Sequence, residues 1–239
     1  MIVSGWILPP PGEPQKSREQ FRREREAKVR WLEREGLLSS ARIREALLTV
    51  RREDFIPPEY RDHAYEEIPL PLPGSHSTIS CPHSYPLFYE PLGLDEGQRF
   101  LEIGSGSGYG AAVAREVVGP VGLVVSVEID PITHEFARDN LARAGYRDVL
   151  LVLGDGGLGH PAAGPYDRIA VTAACDPVPP PLFEQLAPDG RLIAPVRAAA
   201  VQQLVLFEKR DGGLARRELG EVLYMPLRGD YGAAEERKR

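Results

Sequence analysis

The run RFLEIGSGSG (residues 99–108) decides the fold. Arg99–Ile103 reads as a short apolar strand, and Gly104, Gly106 and Gly108 follow it directly, ahead of a helical stretch over Tyr109–Val118. Glycine at such positions permits positive φ and lets a ligand approach bare backbone. The helix start beyond it presents free N–H groups. The spacing is G-x-G-x-G. A dinucleotide fingerprint requires its third glycine where Tyr109 stands, so no pyrophosphate cradle is expected. A glycine-rich turn can also be purely structural, and the acids around it carry the distinction.

Working outward, LVVSV (123–127), VLLVL (149–153), DRIAV (167–171) and RLIAPV (191–196) are further short apolar runs with turn residues at their ends. A helix over Ile132–Ala144, closed by Gly145, lies between the second and third strands. Strands alternating with helices predict an α/β fold, a doubly wound and mostly parallel sheet covered on both faces. VQQLVLFEK (201–209) and GEVLYMPL (220–227) have no helix between them, so they are expected to pair antiparallel and complete seven strands.

Upstream of this region (98–230), residues 1–16 carry Pro9, Pro10, Pro11 and Pro14 and read as an extended arm. Residues 17–97 form a helical, substrate-side region. Ser17 fits an N-cap for an Arg- and Glu-rich helix ending at Gly36, with Phe21, Val29, Trp31 and Leu32 as a narrow apolar stripe. Its charges read as a solvated face with i,i+4 pairs such as Glu24–Lys28. A second helix over Ser40–Val50 is stopped at Phe55-Ile-Pro-Pro. Alternating prolines make IPLPLPGSHSTIS (68–80) an extended loop rather than a central strand, with a helix from His83 to Leu92 after it. Residues 231–239 read as a disordered tail.

Composition closes off other classes. With 42% hydrophobic and 27% charged residues and a net charge of −6, the chain is an ordinary globular sequence and a poor nonspecific nucleic-acid binder. Cys81 and Cys175 make neither a disulfide framework nor a four-thiolate zinc site, and buried inert thiols are the default. The five histidines are scattered, so no metal cluster is expected. No apolar stretch reaches membrane-spanning length, and the start lacks a basic n-region; a cytoplasmic protein is expected, with no membrane partner.

Three acids flank the glycine turn. Glu128 ends the next strand, where a carboxylate can accept hydrogen bonds from both hydroxyls of a ribose. Asp155, in GDGG after the third strand, would meet the adenine end of a nucleoside, and Glu102 can answer a ligand ammonium. A nucleoside with a cationic amino-acid tail fits acids around a phosphate-free loop. That ligand is S-adenosylmethionine.

The runs FLEIGSGSGYGAAV, VVSVEIDP, LGDGGLG, PYDRIAVTAA and LAPDGRLIAPV, with REDFIPPEYRDHAYEEIPLPLPG and STISCPH upstream, resemble the protein-L-isoaspartate (D-aspartate) O-methyltransferase family over about residues 37–227. The resemblance implies a class I methyltransferase, Rossmann-like fold. It also implies methylation of the free α-carboxylate of L-isoaspartyl (and D-aspartyl) residues in damaged proteins, with S-adenosylhomocysteine as the other product. Glu102, Gly104, Ser105, Gly106 and Gly108 would line the methionine and ribose, Glu128 would hold the ribose, Asp155 with Gly156 the adenine, and Ile129 and Thr172 would also bind the cofactor. Thr78, Ile79, Ser80 and His83 would face the substrate, Ser80 as the active-site residue. Read from the residues alone, Ser80 can equally cap a turn and His83 start a helix. Ser77 and Cys175-Asp176-Pro177 depart from the family pattern, both on the peptide side. Two other readings stay open there: a carboxyl methyltransferase for a dedicated peptide, and a non-catalytic nucleotide-binding domain.

Overall fold

The computed structural model describes residues 9–74, 77–211 and 213–232, and the backbone of 2–3 and 6–7. In chain order the elements begin with β1 (Ile2–Val3) and β2 (Trp6–Ile7), which pair with each other, then α1 (Arg18–Arg34) and α2 (Ala41–Thr49). β3 (Leu70–Pro71), β4 (Thr78–Ile79) and α3 (Ser84–Leu92) follow. The remainder is β5 (Arg99–Ile103), α4 (Tyr109–Val118), β6 (Leu123–Glu128), α5 (Pro131–Ala144), β7 (Leu150–Leu153), β8 (Tyr166–Val171), α6 (Pro180–Glu184), β9 (Leu186–Ala198), β10 (Val201–Arg210) and β11 (Gly213–Val222).

The main sheet has seven strands in the order β11-β10-β9-β8-β5-β6-β7. Its members from β9 to β7 are parallel, while β10 and β11 join antiparallel. The chain winds outward from β5 through β6 to β7, then returns to the other side of β5 as β8. The carboxyl ends of β5 and β8 therefore flank a reversal in strand order, the place where open α/β sheets hold ligands.

Burial explains the strand signal. β5 and β6 are buried at every position after their first, so they read as continuous apolar runs. α4 packs against them and is buried at Gly110, Ala111, Ala112 and Ala114. One apolar cluster runs from Phe21 of α1 through Ile43, Phe55 and Phe100 to Leu206 of β10, so the N-terminal helices share the core of the sheet's face. A second cluster, including Leu101, Ile169 and Leu192, fills the opposite face. Each fully buried Val, Leu or Phe contributes about 1.5–3 kcal/mol.

The local start signals act as expected. Ser17 accepts from the Gln20 N–H while the Gln20 side chain accepts from the Ser17 N–H, a reciprocal capping box. Asp130 caps α5 through the N–H groups of Ile132 and Thr133, and Gly145 closes it in the left-handed conformation (φ 96°).

Three expectations need correction. The last strand lies at Gly213–Val222, not 220–227. Residues 213–218 are exposed at a sheet edge and only Leu219 and Val222 pack on the core, so the strand carries a weak apolar signal, and its charges suit an uncovered edge. Residues 223–227 leave the sheet, and Pro226 makes only an isolated bridge with Ala174. Glu24 pairs with Lys16 (2.6 Å) rather than Lys28, whose ammonium reaches Glu67 (2.8 Å). The extended loop contains the short β3–β4 pairing, in register Leu70↔Ile79. Most of the expected tail, 233–239, lies outside the described residues, whereas Tyr231 packs on the second cluster.

Candidate active site

A cavity of about 640 Å³ opens at the carboxyl ends of β5, β6 and β8. One wall is the glycine turn. Gly104 (φ 94°), Gly106 (φ 52°) and Gly108 (φ 84°) are all left-handed, and the Gly108 N–H closes the turn on the Ser105 carbonyl (2.9 Å). A Cβ at Gly104 would lie 2.4 Å from Thr172 Oγ1. That hydroxyl is shared between the Ile103 and Gly104 carbonyls, each at 2.9 Å, and locks the end of β8 to the turn. Thr172 therefore shapes the wall as well as lining it.

Glu102 is buried, and its Oε2 accepts from the Ser126 hydroxyl at 2.6 Å, with Ser105 Oγ 2.7 Å from the same hydroxyl. No Lys, Arg or His pairs with Glu102 among the described residues. Burial pushes its carboxyl up to about 8; the Ser126 hydrogen bond opposes this and the charge of Glu128 adds to it. Glu128 is also raised by burial, against hydrogen bonds from the N–H groups of Asp130, Gly106 and Ile129. Its Oε2 accepts from Gly106 (3.0 Å) and its Oε1 from Ile129 (3.0 Å) and Asp130 (3.1 Å), so the strand end and the glycine turn fix its orientation. Two buried acids raised together make a wall that favours a cationic ligand.

Gly156 lies on the cavity wall, and a Cβ there would meet Ile103 Cγ2 at 2.4 Å. Asp155 stands behind that wall. Its Oδ1 accepts from Gly157 N–H (2.8 Å) and its Oδ2 from Asp230 N–H (2.7 Å), so it also anchors the C-terminal segment.

The opposite wall comes from residues 77–87 and 221–228. Thr78 and Ile79 form β4; Ile79 is buried in the core, while Thr78 is half-buried. The Ser80 carbonyl accepts from Arg52 Nη2 (2.7 Å), and Ser80, Ser84 and Tyr224 line the cavity together. Arg52 is fully buried, donates from Nε to the Ala64 carbonyl (2.6 Å), and lies over the rings of Tyr109 (5.3 Å) and Tyr85 (5.7 Å). His83 Nδ1 lies 2.5 Å from Glu67 Oε2, whose other oxygen binds Lys28.

The site thus gathers Thr78, Ile79, Ser80, His83, Glu102, Gly104, Ser105, Gly106, Glu128, Ile129, Gly156 and Thr172 around one cavity. Gly108 lies behind it at the start of α4, with its Cβ position 3.0 Å from Leu141. Sequence reasoning misses Arg52, Glu67, Ser126 and Tyr224. Ser126 is legible only in hindsight, as a polar residue in an apolar strand; Tyr224 is hidden by the strand misassigned to 220–227.

The fold brings Glu67 beside Cys81 and His83, with their donor atoms all within 4.8 Å of one another. Cys81 and Cys175 are free and buried, and burial pushes their thiols up to about 11 and about 12. No helix among the described residues is long and apolar enough to cross a membrane.

Residues 23–232 match the model of the family described as protein-L-isoaspartate(D-aspartate) O-methyltransferase. A protein-L-isoaspartate O-methyltransferase of Hyperthermus butylicus is 44% identical over 226 residues, covering 91% of this chain and 93% of the relative. One from Methanopyrus kandleri is 45% identical over 217 residues, covering 90% and 96%. A solved protein-L-isoaspartate O-methyltransferase superposes with a TM-score of 0.81 at 40% identity, covering 87% of this chain and 67% of that one. A Plasmodium falciparum structure, titled as a complex with S-adenosyl-L-homocysteine, shares the fold at 22% identity (TM-score 0.76; 85% and 98% covered).

Proposed function

The chain belongs to the protein-L-isoaspartate (D-aspartate) O-methyltransferase family, and from that premise we propose how its own residues carry the reaction. The enzyme methylates isoaspartyl residues of proteins with S-adenosylmethionine as donor, the step that leads to their repair. When bound, the donor supplies a methyl group on a positively charged sulfur.

The cavity fits that donor on one observation above all. Glu102 is a buried carboxyl without a cationic side-chain partner among the described residues, at the wall of the cavity, and a ligand ammonium supplies the missing charge. Glu128 retains room for one ribose hydroxyl, since a carboxylate has about four acceptor sites and three are taken by backbone N–H groups. Ile129, Gly156, Thr172 and the left-handed glycine turn leave main chain rather than side chain against the nucleoside. Asp155 holds the C-terminal segment closed behind the adenine end.

The acceptor needs no strong base. A carboxyl of ordinary pKa about 3.9 is already ionised at neutral pH. The residues' work is therefore to orient one oxygen and exclude water, because charge is neutralised as the methyl moves. We assign the orienting role to Ser80: its backbone is pinned by Arg52 and it lines the cavity beside Tyr224. Thr78 and His83 complete that side. Isoaspartyl-containing proteins and peptides are the partners in this reading, and a cytoplasmic location is part of the same proposal.

The test compares a synthetic isoaspartyl peptide with its aspartyl twin, using the wild type and Ser80→Ala. The isoaspartyl peptide alone is methylated, and Ser80→Ala lowers kcat sharply with cofactor affinity within twofold. Equal methylation of the twin would turn the substrate reading toward a dedicated-peptide enzyme, and wild-type turnover in Ser80→Ala removes that residue from its role.

A further inference from the structure

Glu67, Cys81 and His83 have no part in holding the donor, yet their donor atoms lie within 4.8 Å of one another. Tetrahedral zinc, with bonds of about 2.0–2.3 Å, sets its ligands roughly 3.5 Å apart, so His83 Nδ1 and Glu67 Oε2, now 2.5 Å apart, would exchange their hydrogen bond for the ion. The backbone that carries two of the ligands is already fixed: Arg52 holds the Ser80 carbonyl, and the Ser84 N–H closes the Cys81-Pro82-His83 turn on the Cys81 carbonyl (3.0 Å). The third ligand is oriented from behind, with Lys28 Nζ 2.8 Å from Glu67 Oε1, leaving Oε2 facing His83.

From this geometry we infer that Glu67, Cys81 and His83 form a binding site for a divalent cation of the zinc class on the acceptor wall of the cavity. A sulfur, a ring nitrogen and a carboxylate oxygen select borderline-soft ions; magnesium and calcium, which want oxygen alone, are poor matches. Binding releases the Cys81 thiol proton and any proton shared between Glu67 and His83. Lys28 opposes the ion by its charge while orienting its ligand, and so limits affinity. Three protein ligands leave one coordination position open. Cys81 and His83 lie on the cavity wall, so that position faces the space of the incoming carboxylate. The ion therefore competes with the peptide and not with the donor. This consequence rests on the functional reading above; the binding itself does not.

Cobalt(II) titration of the full chain tests the site without reference to activity, because thiolate ligation adds a charge-transfer band. The band is expected in the wild type and in Cys175→Ala, lost in Cys81→Ala, and bleached by added zinc. Zinc affinity, measured by competition with a chromophoric chelator, falls at least about tenfold in Cys81→Ala and rises in Lys28→Gln. A band of equal strength in Cys81→Ala, or none in the wild type, overturns the site. In methyl-transfer assays zinc raises the peptide KM and leaves the donor KM unchanged. Binding without such inhibition overturns the acceptor-side placement. Absence of methyl transfer altogether counts against the functional reading, and the cobalt band still decides the site.

Discussion

On the side assigned to the donor, Glu102, Gly104, Ser105, Gly106, Ser126 and Glu128 come from the ends of two adjacent strands and the turn between β5 and α4. On the acceptor side, Arg52, Glu67, Ser80, His83 and Tyr224 come from separate stretches of chain that meet only in the folded molecule. The first wall is held by parallel ladders and backbone hydrogen bonds within a few residues of each carboxylate. The second depends on one buried guanidinium and a few long-range side-chain contacts. In the proposed assignment, the ligand common to the whole reaction class sits on locally encoded structure, and the substrate-specific surface is assembled from afar.

The hardest test of that contrast is Arg52→Ala. It leaves the buried carbonyls of Ala64 and Ser80 without their donor, and the expected loss is about 3–5 kcal/mol, read from denaturant midpoints. A loss under about 1 kcal/mol would show that the acceptor wall stands without it.

The donor side is sharpened by pH. Glu102, with its carboxyl near 8 in the free protein, is largely protonated at neutral pH, and a ligand ammonium favours the ionised form. Binding must then expel a proton. Affinity for S-adenosylmethionine falls as pH drops below about 8, by at most about tenfold per unit, and is flat above it. Calorimetry in buffers of different ionisation enthalpy measures the released proton, and Glu102→Gln abolishes both the release and the slope. A pH-independent affinity in the wild type contradicts the assignment. The same shift has a stability sign: the folded pKa is raised, so ionising Glu102 destabilises the free protein as pH rises from about 4.5 toward 8.

The smallest effect lies farthest from both walls. Ser17→Ala removes one half of the α1 capping box and should lower stability by about 1 kcal/mol, seen as a shift in Tm with kcat unchanged.

The same contrast explains what the sequence made legible. The glycine turn, Glu128 and the caps at Ser17 and Gly145 are encoded within one or two turns of chain, where spacing carries the information. Both faces of β5 and β6 are buried, so their apolar runs stand out. β11 does not stand out, because most of this edge strand is exposed and only Leu219 and Val222 pack on the core. Arg52 in REDF looks like any surface arginine until Ala64, Ser80 and two tyrosine rings close around it. Lys28 reads as part of a solvated helix face, yet its partner is Glu67, 39 residues away. The scattered histidines likewise hide the Glu67–Cys81–His83 grouping, since one ligand arrives from outside the local run.

The claim that one wall holds the donor and the other the acceptor is tested most directly by titrating both ligands into Glu128→Ala. Losing the acceptor for a ribose hydroxyl, at about 1.5–3 kcal/mol for a hydrogen bond to a charged group, predicts S-adenosylmethionine binding weaker by about 10- to 100-fold. The KM for an isoaspartyl peptide, measured at saturating donor, should stay within twofold. A variant that keeps its donor affinity and loses its grip on the peptide would contradict the account.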